Sequence, residues 1–247
     1  MPGLKWDYHT HTIYSRHNHG KGTVEENVRA ALEKGLKEIA ISDHGPGHVM
    51  YGIQRDRLGA LRQEIEAAAE KYPQIQIFMS VEANIINRSG ELDVLAEEWD
   101  RFDFVMAGYH YGAFCSQPAH DLRVHTKNFL LNTFHTTTRK MKTENTELIL
   151  NALYKNDIKI LTHPGDKAGI YISEVAKACR DTGTWMEINN SHPFLSEKTL
   201  EESAKEDVTF VIGSDAHVPH RVGNYANALA RITASGIDRR RVINLME

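Results

Sequence analysis

The sequence predicts an α/β protein in which seven β/α units close, or nearly close, into a barrel. Three observations predict it. Short apolar, β-branched runs alternate with helical-looking segments to the end of the chain, the signature of a parallel sheet with crossover helices. Six of the seven runs finish in a histidine or a carboxylate. No Pro/Gly/Ser-rich stretch, low-complexity tract or long charge block divides the chain, so residues 1–247 are expected to form a single domain.

The first strand is predicted over residues 5–9. The first helix follows Lys21-Gly22, where Thr23 and Glu26 make a T-x-x-E capping box, and Gly35 stops it after Lys34. Further strands are expected at 38–42, 76–82, 104–109, 159–161, 184–188 and 209–212. Helices are expected at 57–72, 92–99, 144–155, 173–181, 196–205 and 225–235. Residues 111–143, rich in Thr, Asn and His, read as an insertion beside the barrel mouth.

Composition narrows the function classes. A chain of 247 residues buries roughly 70–75% of its unfolded surface, enough to close a core without disulfides. A net charge of −4 gives no general positive field, and Arg239-Arg240-Arg241 is too short to supply one, so nucleic acid is not an expected partner. No run approaches the ~20 apolar residues of a membrane span, and the N-terminus lacks an apolar signal core. Cys115 and Cys179 form no pattern and read as idle thiols of a cytoplasmic protein.

The abnormal number is 14 histidines, and their placement matters more than their count. The strands end in His9-Thr10-His11, Ser42-Asp43-His44, Glu82-Ala83-Asn84, Gly108-Tyr109-His110, Thr162-His163-Pro164 and Gly213-Ser214-Asp215-Ala216-His217. In a β/α barrel these C-terminal strand ends share one face. His9 and His11 are two residues apart and project to the same side, as do Asp215 and His217. Imidazole and carboxylate are ordinary ligands of zinc, manganese and iron, and so many convergent ligands exceed what one ion takes. A lone H-x-H is usually packing, Glu82 alone could be an ion-pair partner, and His163-Pro164 alone a turn. Their conjunction points to a polynuclear metal site. His17, in the loop Ser15-Arg16-His17-Asn18-His19, is within reach of it. His19, His48, His192 and His220 lie on mouth loops and read as orienting or substrate-facing. His120, His125 and His135 read as solvated. Strand six carries no assigned ligand, so Glu187 is expected to be dispensable for metal binding.

With Ser15, Gly45-Pro46, Ile85 and Glu187-Ile188-Asn189-Asn190 added, these motifs resemble the PHP (polymerase and histidinol phosphatase) family, and most closely its YcdX-type branch. The resemblance runs in family order from His9 to about Leu245; residues 111–143 are longer than the corresponding part of that branch. It implies a distorted (β/α)7, TIM-like barrel with three divalent ions, zinc first and manganese or iron as alternatives. By resemblance, His9, His11, Glu82 and Asp215 hold the first ion. Glu82, as a bridge, holds the second with His110 and His163, and His17, His44 and His217 hold the third.

The implied activity is hydrolysis of small phosphate monoesters by a metal-bound hydroxide. Glu82 and Asp215 would act in catalysis as ligands, and Arg221 would clamp a phosphate oxygen. Three alternatives stand beside it: a histidinol-phosphate phosphatase, a metal-dependent amidohydrolase and a non-catalytic metal-binding accessory domain. Amidohydrolases have eight strands and lack a cluster like His17, His44 and His217, and an accessory domain would have lost ligands. The expected partner is a small phosphorylated substrate, with a homo-oligomer possible.

Overall fold

The computed structural model describes residues 3–114, 118–134 and 136–246, the side chains of 118–123 excepted. Cys115 and His135 lie outside the described residues, as does the side chain of His120. Seven parallel strands run in chain order: β1 Trp6–Asp7, β2 Glu38–Ile41, β3 Gln76–Asn84, β4 Phe104–Gly108, β5 Ile158–Leu161, β6 Trp185–Asn189 and β7 Phe210–Gly213. Among the described residues, seven α-helices accompany them: α1 Val24–Glu33, α2 Leu58–Lys71, α3 Pro118–Thr133, α4 Arg139–Lys155, α5 Ile172–Thr182, α6 Glu197–Ala204 and α7 Ala226–Ser235. The result is the expected distorted (β/α)7 barrel.

The distortion has two sources. The β4–β5 register slips at Val105/Met106. More important is the seam between the first and last strands. β1 is only two residues long and makes no ladder with β7. Above it, Thr10 bridges Ala216: the His11 amide donates to the Ala216 carbonyl (2.8 Å) and the Ala216 amide to the His9 carbonyl (3.2 Å). Below, the Asn244 side chain links the strands, donating to the carbonyls of Trp6 (3.0 Å) and Ile212 (2.8 Å).

Alternation along the strands divides the core in two. Outward positions such as Ile39, Val81, Val105, Ile188 and Ile212 pack with helix residues including Val28, Leu61, Leu148, Val175 and Ile232. Inward positions Tyr8, Ala40, Met106, Ile160 and Val211 fill the N-terminal end of the barrel, where Tyr8 meets Phe78 and Phe104 at ring separations of 5.6 and 5.1 Å. The opposite end is left to polar side chains.

Local signals place the elements. Thr23 and Glu26 form both bonds of the capping box, and Gly35 takes φ 76° just past α1. The helix expected at 92–99 is absent; a 3₁₀ turn stands at Ala96–Arg101. Leu92 bridges Ile85 in antiparallel pairing, and the buried Asp93 carboxylate accepts from the amides of Asn84 (2.7 Å) and Gly47 (2.9 Å). Those tertiary bonds hold the segment extended. Within 111–143 stands α3, and α4 starts five residues earlier than expected because Thr138 caps it through the Met141 amide.

Candidate metal centre

Glu82, on β3, is the hub. Its Oε1 lies 2.7 Å from His163 Nε2, 3.4 Å from His9 Nε2 and 3.5 Å from His110 Nε2. Its Oε2 lies 3.0 Å from His44 Nδ1 and 3.8 Å from His11 Nε2. Asp215 Oδ1 stands 3.3 Å from His11 Nε2, 3.6 Å from His9 Nε2 and 3.3 Å from His217 Nδ1. His163 and Asp215 leave their strands with φ of 27° and 54°, a left-handed turn uncommon outside glycine that marks a built site.

Three donor clusters result: His9–His11–Asp215, His44–Glu82–His110 and His11–His44–His217. A tetrahedral ion at roughly 2.0–2.1 Å from each ligand holds its ligands about 3.3 Å apart, and the separations around Glu82 and Asp215 bracket that value. Nε2 of His9, both ring nitrogens of His11 and His44, and Oε2 of Glu82 are buried without a hydrogen-bond partner. Buried polar atoms are normally satisfied, so this many orphans aimed at one another fit cations.

The electrostatics agree. Burial raises the Glu82 carboxyl, but His110, His9, His44 and His163 outweigh it and hold the group well below its ordinary range. Burial also lowers His11 and His110 well below the usual imidazole value, so both keep the neutral, metal-binding form. Against desolvation, the charges of Glu187, Glu82 and Asp215 raise His9 well above it, so a cation binding at Nε2 must displace a proton there.

A second set of residues aims the first. His9 Nδ1–H donates to Glu187 Oε1 (2.6 Å), which leaves Nε2 facing the cluster. Glu187 Oε2 also accepts from the His163 amide (2.8 Å) and Asn189 Nδ2 (2.9 Å). Glu187 therefore belongs to the site, against the sequence expectation. The strand alternation that puts it on the face of Asn189 was the available signal. Gly213 makes the approach possible, since a Cβ there would sit 1.9 Å from Glu187 Oε1. His110 Nδ1–H donates to Asn84 Oδ1 (2.8 Å), fixing its Nε2 likewise. Asp43 is no ligand; it ties down the Thr12–Ser15 loop through both hydroxyls (2.6 Å each).

His9, His11, His44, Glu82, His110, His163, Asp215 and His217 thus converge. His17 does not. It and Asn18 both take positive φ, 55° and 59°, and this double left-handed turn leaves His17 exposed while bringing His19 inward. His19 Nε2 lies 2.8 Å from His217 Nε2, and its ring sits 5.1 Å from that of His44. Arg221 is also displaced: it ends an exposed 3₁₀ turn and does not line the cavity over the cluster. That cavity, about 410 Å³, is lined instead by Lys167, together with His48, Tyr51, Tyr111 and His192. His48 Nδ1 accepts from the amides of Met50 (3.3 Å) and Tyr51 (3.1 Å). Burial lowers His48 to about 4, so it is neutral with its proton on Nε2. His125 is buried rather than solvated, stacked 5.3 Å from Tyr109. Cys179 is buried and its thiol pushed up by desolvation, consistent with an idle residue.

The chain is 33% identical to a probable phosphatase of Thermoanaerobacter sp. (strain X514), over 98% of this chain and 90% of that protein. It is 31% identical to another of Shewanella sp. (strain MR-4), over 96% and 86%. A candidate histidinol phosphatase from Listeria monocytogenes has the same fold, with a TM-score of 0.65 at 17% identity, over 90% of this chain and 99% of that one. Histidinol phosphate phosphatase from Lactococcus lactis, solved with zinc, L-histidinol and phosphate, aligns at a TM-score of 0.58 and 15% identity, over 94% and 93%. The sequence profile of the PHP domain matches residues 7–191, a stretch that runs from β1 through β6 and carries six of the eight converging donors, so the chain belongs to the PHP domain family.

Proposed function

We propose that the protein is a metal-dependent phosphatase that hydrolyses small phosphate monoesters at a three-ion site. One observation carries the reading: Glu82 offers each of its oxygens to a different group of imidazoles, three around Oε1 and two around Oε2, with the facing nitrogens of His9, His11 and His44 otherwise unbonded. No single ion uses that arrangement. The first ion falls to His9, His11, Glu82 and Asp215, and the second to Glu82, His110 and His163. The third falls to His44 and His217 with His19, which replaces His17.

Bound there, divalent ions supply a water that ionises near neutral pH and a positive field for phosphoryl oxygens. The chain's own groups do the rest. Glu187 and Asn84 keep the Nδ1 protons of His9 and His110, so both rings present lone pairs. Neutral His48 presents an N–H at the cavity wall. The cavity volume of about 410 Å³ suits a metabolite-sized ester, and the relatives' names supply the phosphatase class.

Elemental analysis of protein reconstituted with zinc, manganese or iron, paired with a panel of phosphorylated metabolites, tests this. The expected result is close to three ions per chain and phosphate release from small monoesters. One ion or fewer after reconstitution, or no release from any ester, overturns it.

A further inference from the structure

Divalent ions alone do not explain how a phosphate would be gripped on its far side. The arginines near the cavity are committed elsewhere. Arg16 donates to the carbonyls of Gly52 (2.6 Å), His48 (2.8 Å) and Val49 (3.1 Å). Arg231 donates to those of Leu195 (2.9 Å), His192 (3.4 Å) and Asn189. Among the described residues, Lys167 is the one lysine or arginine lining the cavity.

Its surroundings are constructed. Lys167 follows β5 by six residues, and the chain turns sharply between them, with Gly165 at φ 92° and the Asp166 amide donating to the His163 carbonyl (3.1 Å). Asp166 Oδ2 lies 2.5 Å from Lys167 Nζ, while Oδ1 lies 3.1 Å from His192 Nδ1. Tyr111 Oη–H donates to the Lys167 carbonyl (2.6 Å), and the Tyr111 ring packs edge-on against Phe129 of α3 (5.6 Å). The insertion thus braces the backbone that carries the lysine. The side chain is 31% exposed, enough to meet a ligand. An ammonium has three donors, and its ion pair with a single Asp166 oxygen leaves donors to spare for a ligand.

We propose that Lys167 grips the phosphate group of the bound ester, with Asp166 as its positioning residue. The proposal rests on the phosphatase reading and adds its organic anchor. A compact ammonium suits this task, because it binds phosphate oxygens as a point charge from any approach. It also favours a dianionic ester over a neutral amide at the same centre.

Calorimetry with inorganic phosphate on zinc-loaded protein tests it, alongside kcat and KM for p-nitrophenyl phosphate and a metal count. Lys167→Met keeps the apolar stem and removes the charge. It should weaken phosphate binding by ~10- to 100-fold and raise KM more than it lowers kcat, with three ions and the thermal transition retained. Lys167→Arg should recover part of the affinity. Asp166→Asn should raise KM without changing the metal count. Phosphate affinity within twofold of wild type in Lys167→Met, at equal metal content, overturns the proposal and leaves the phosphatase intact. Wild-type protein that takes up metal but neither binds phosphate nor hydrolyses esters overturns both.

Discussion

His9 Nδ1 lies 2.6 Å from Glu187 Oε1, and both side chains are 1% exposed. A buried carboxylate would be costly on its own. Here it holds the proton on one imidazole nitrogen so that the other is free to bind. Glu187→Ala should therefore weaken metal retention ~10- to 100-fold, read by competition with a chelator, although Glu187 touches no ion in the proposed arrangement. Unchanged metal affinity in this variant would reduce the pair to packing.

The loop histidines give the sharpest contrast. His19→Ala should lose about one ion of three and lower kcat/KM by ~10²-fold, the scale of removing one charge stabiliser. His17→Ala should keep all three ions and near-normal turnover. The reverse pattern, by elemental analysis and steady-state kinetics, would restore His17 to the site.

Glu82→Ala removes the acceptor that five imidazoles face. Metal content should fall to one ion or fewer per chain, and kcat/KM by at least ~10²-fold. The barrel should persist, since the side chains that fill it lie at the other end.

Asp93 offers a pH test away from the ligands. Burial raises its carboxyl from 3.8 to about 6, only partly offset by its bonds from Asn84 and Gly47. Between about pH 4 and 6 the folded chain holds a proton that the unfolded chain has lost. The contribution is therefore complete at low pH and lost as pH rises through 6, by on the order of 3 kcal/mol. Metal-free wild type should lose stability against Asp93→Asn across that window in denaturant titrations. Parallel curves for the two proteins would contradict it.

The strand ends were legible because two signals coincide there: an apolar, β-branched run, then a residue with no reason to be buried except as a ligand. His9, Glu82 and Asp215 carry both. His17 and His19 could not be separated, because the choice depends on two backbone dihedrals in a polar loop and not on spacing. Glu187 sits within its strand instead of at the end, so the strand-end criterion passed over it. Lys167 stands beyond β5 on a turn set by Gly165 and braced from α3, a tertiary contact no local pattern encodes. Residues 92–99 were misread for the same reason, since Asp93 is held by partners nine and 46 residues away.

The seam between β1 and β7 has a consequence for how the protein would live with scarce metal. His9 and His11 stand on one side of that gap, Asp215 and His217 on the other, and the strands themselves contribute little to closing it. Ions taken up there would buckle the first strand to the last, turning an open ring into a fastened one. Deuterium should then enter the amides of His11 and Ala216 faster after chelation, while those of Val81 and Val105, inside the unbroken ladder, change little. Such a chain would be most open to local unfolding, and so to proteolytic cleavage at that seam, just when it holds no metal.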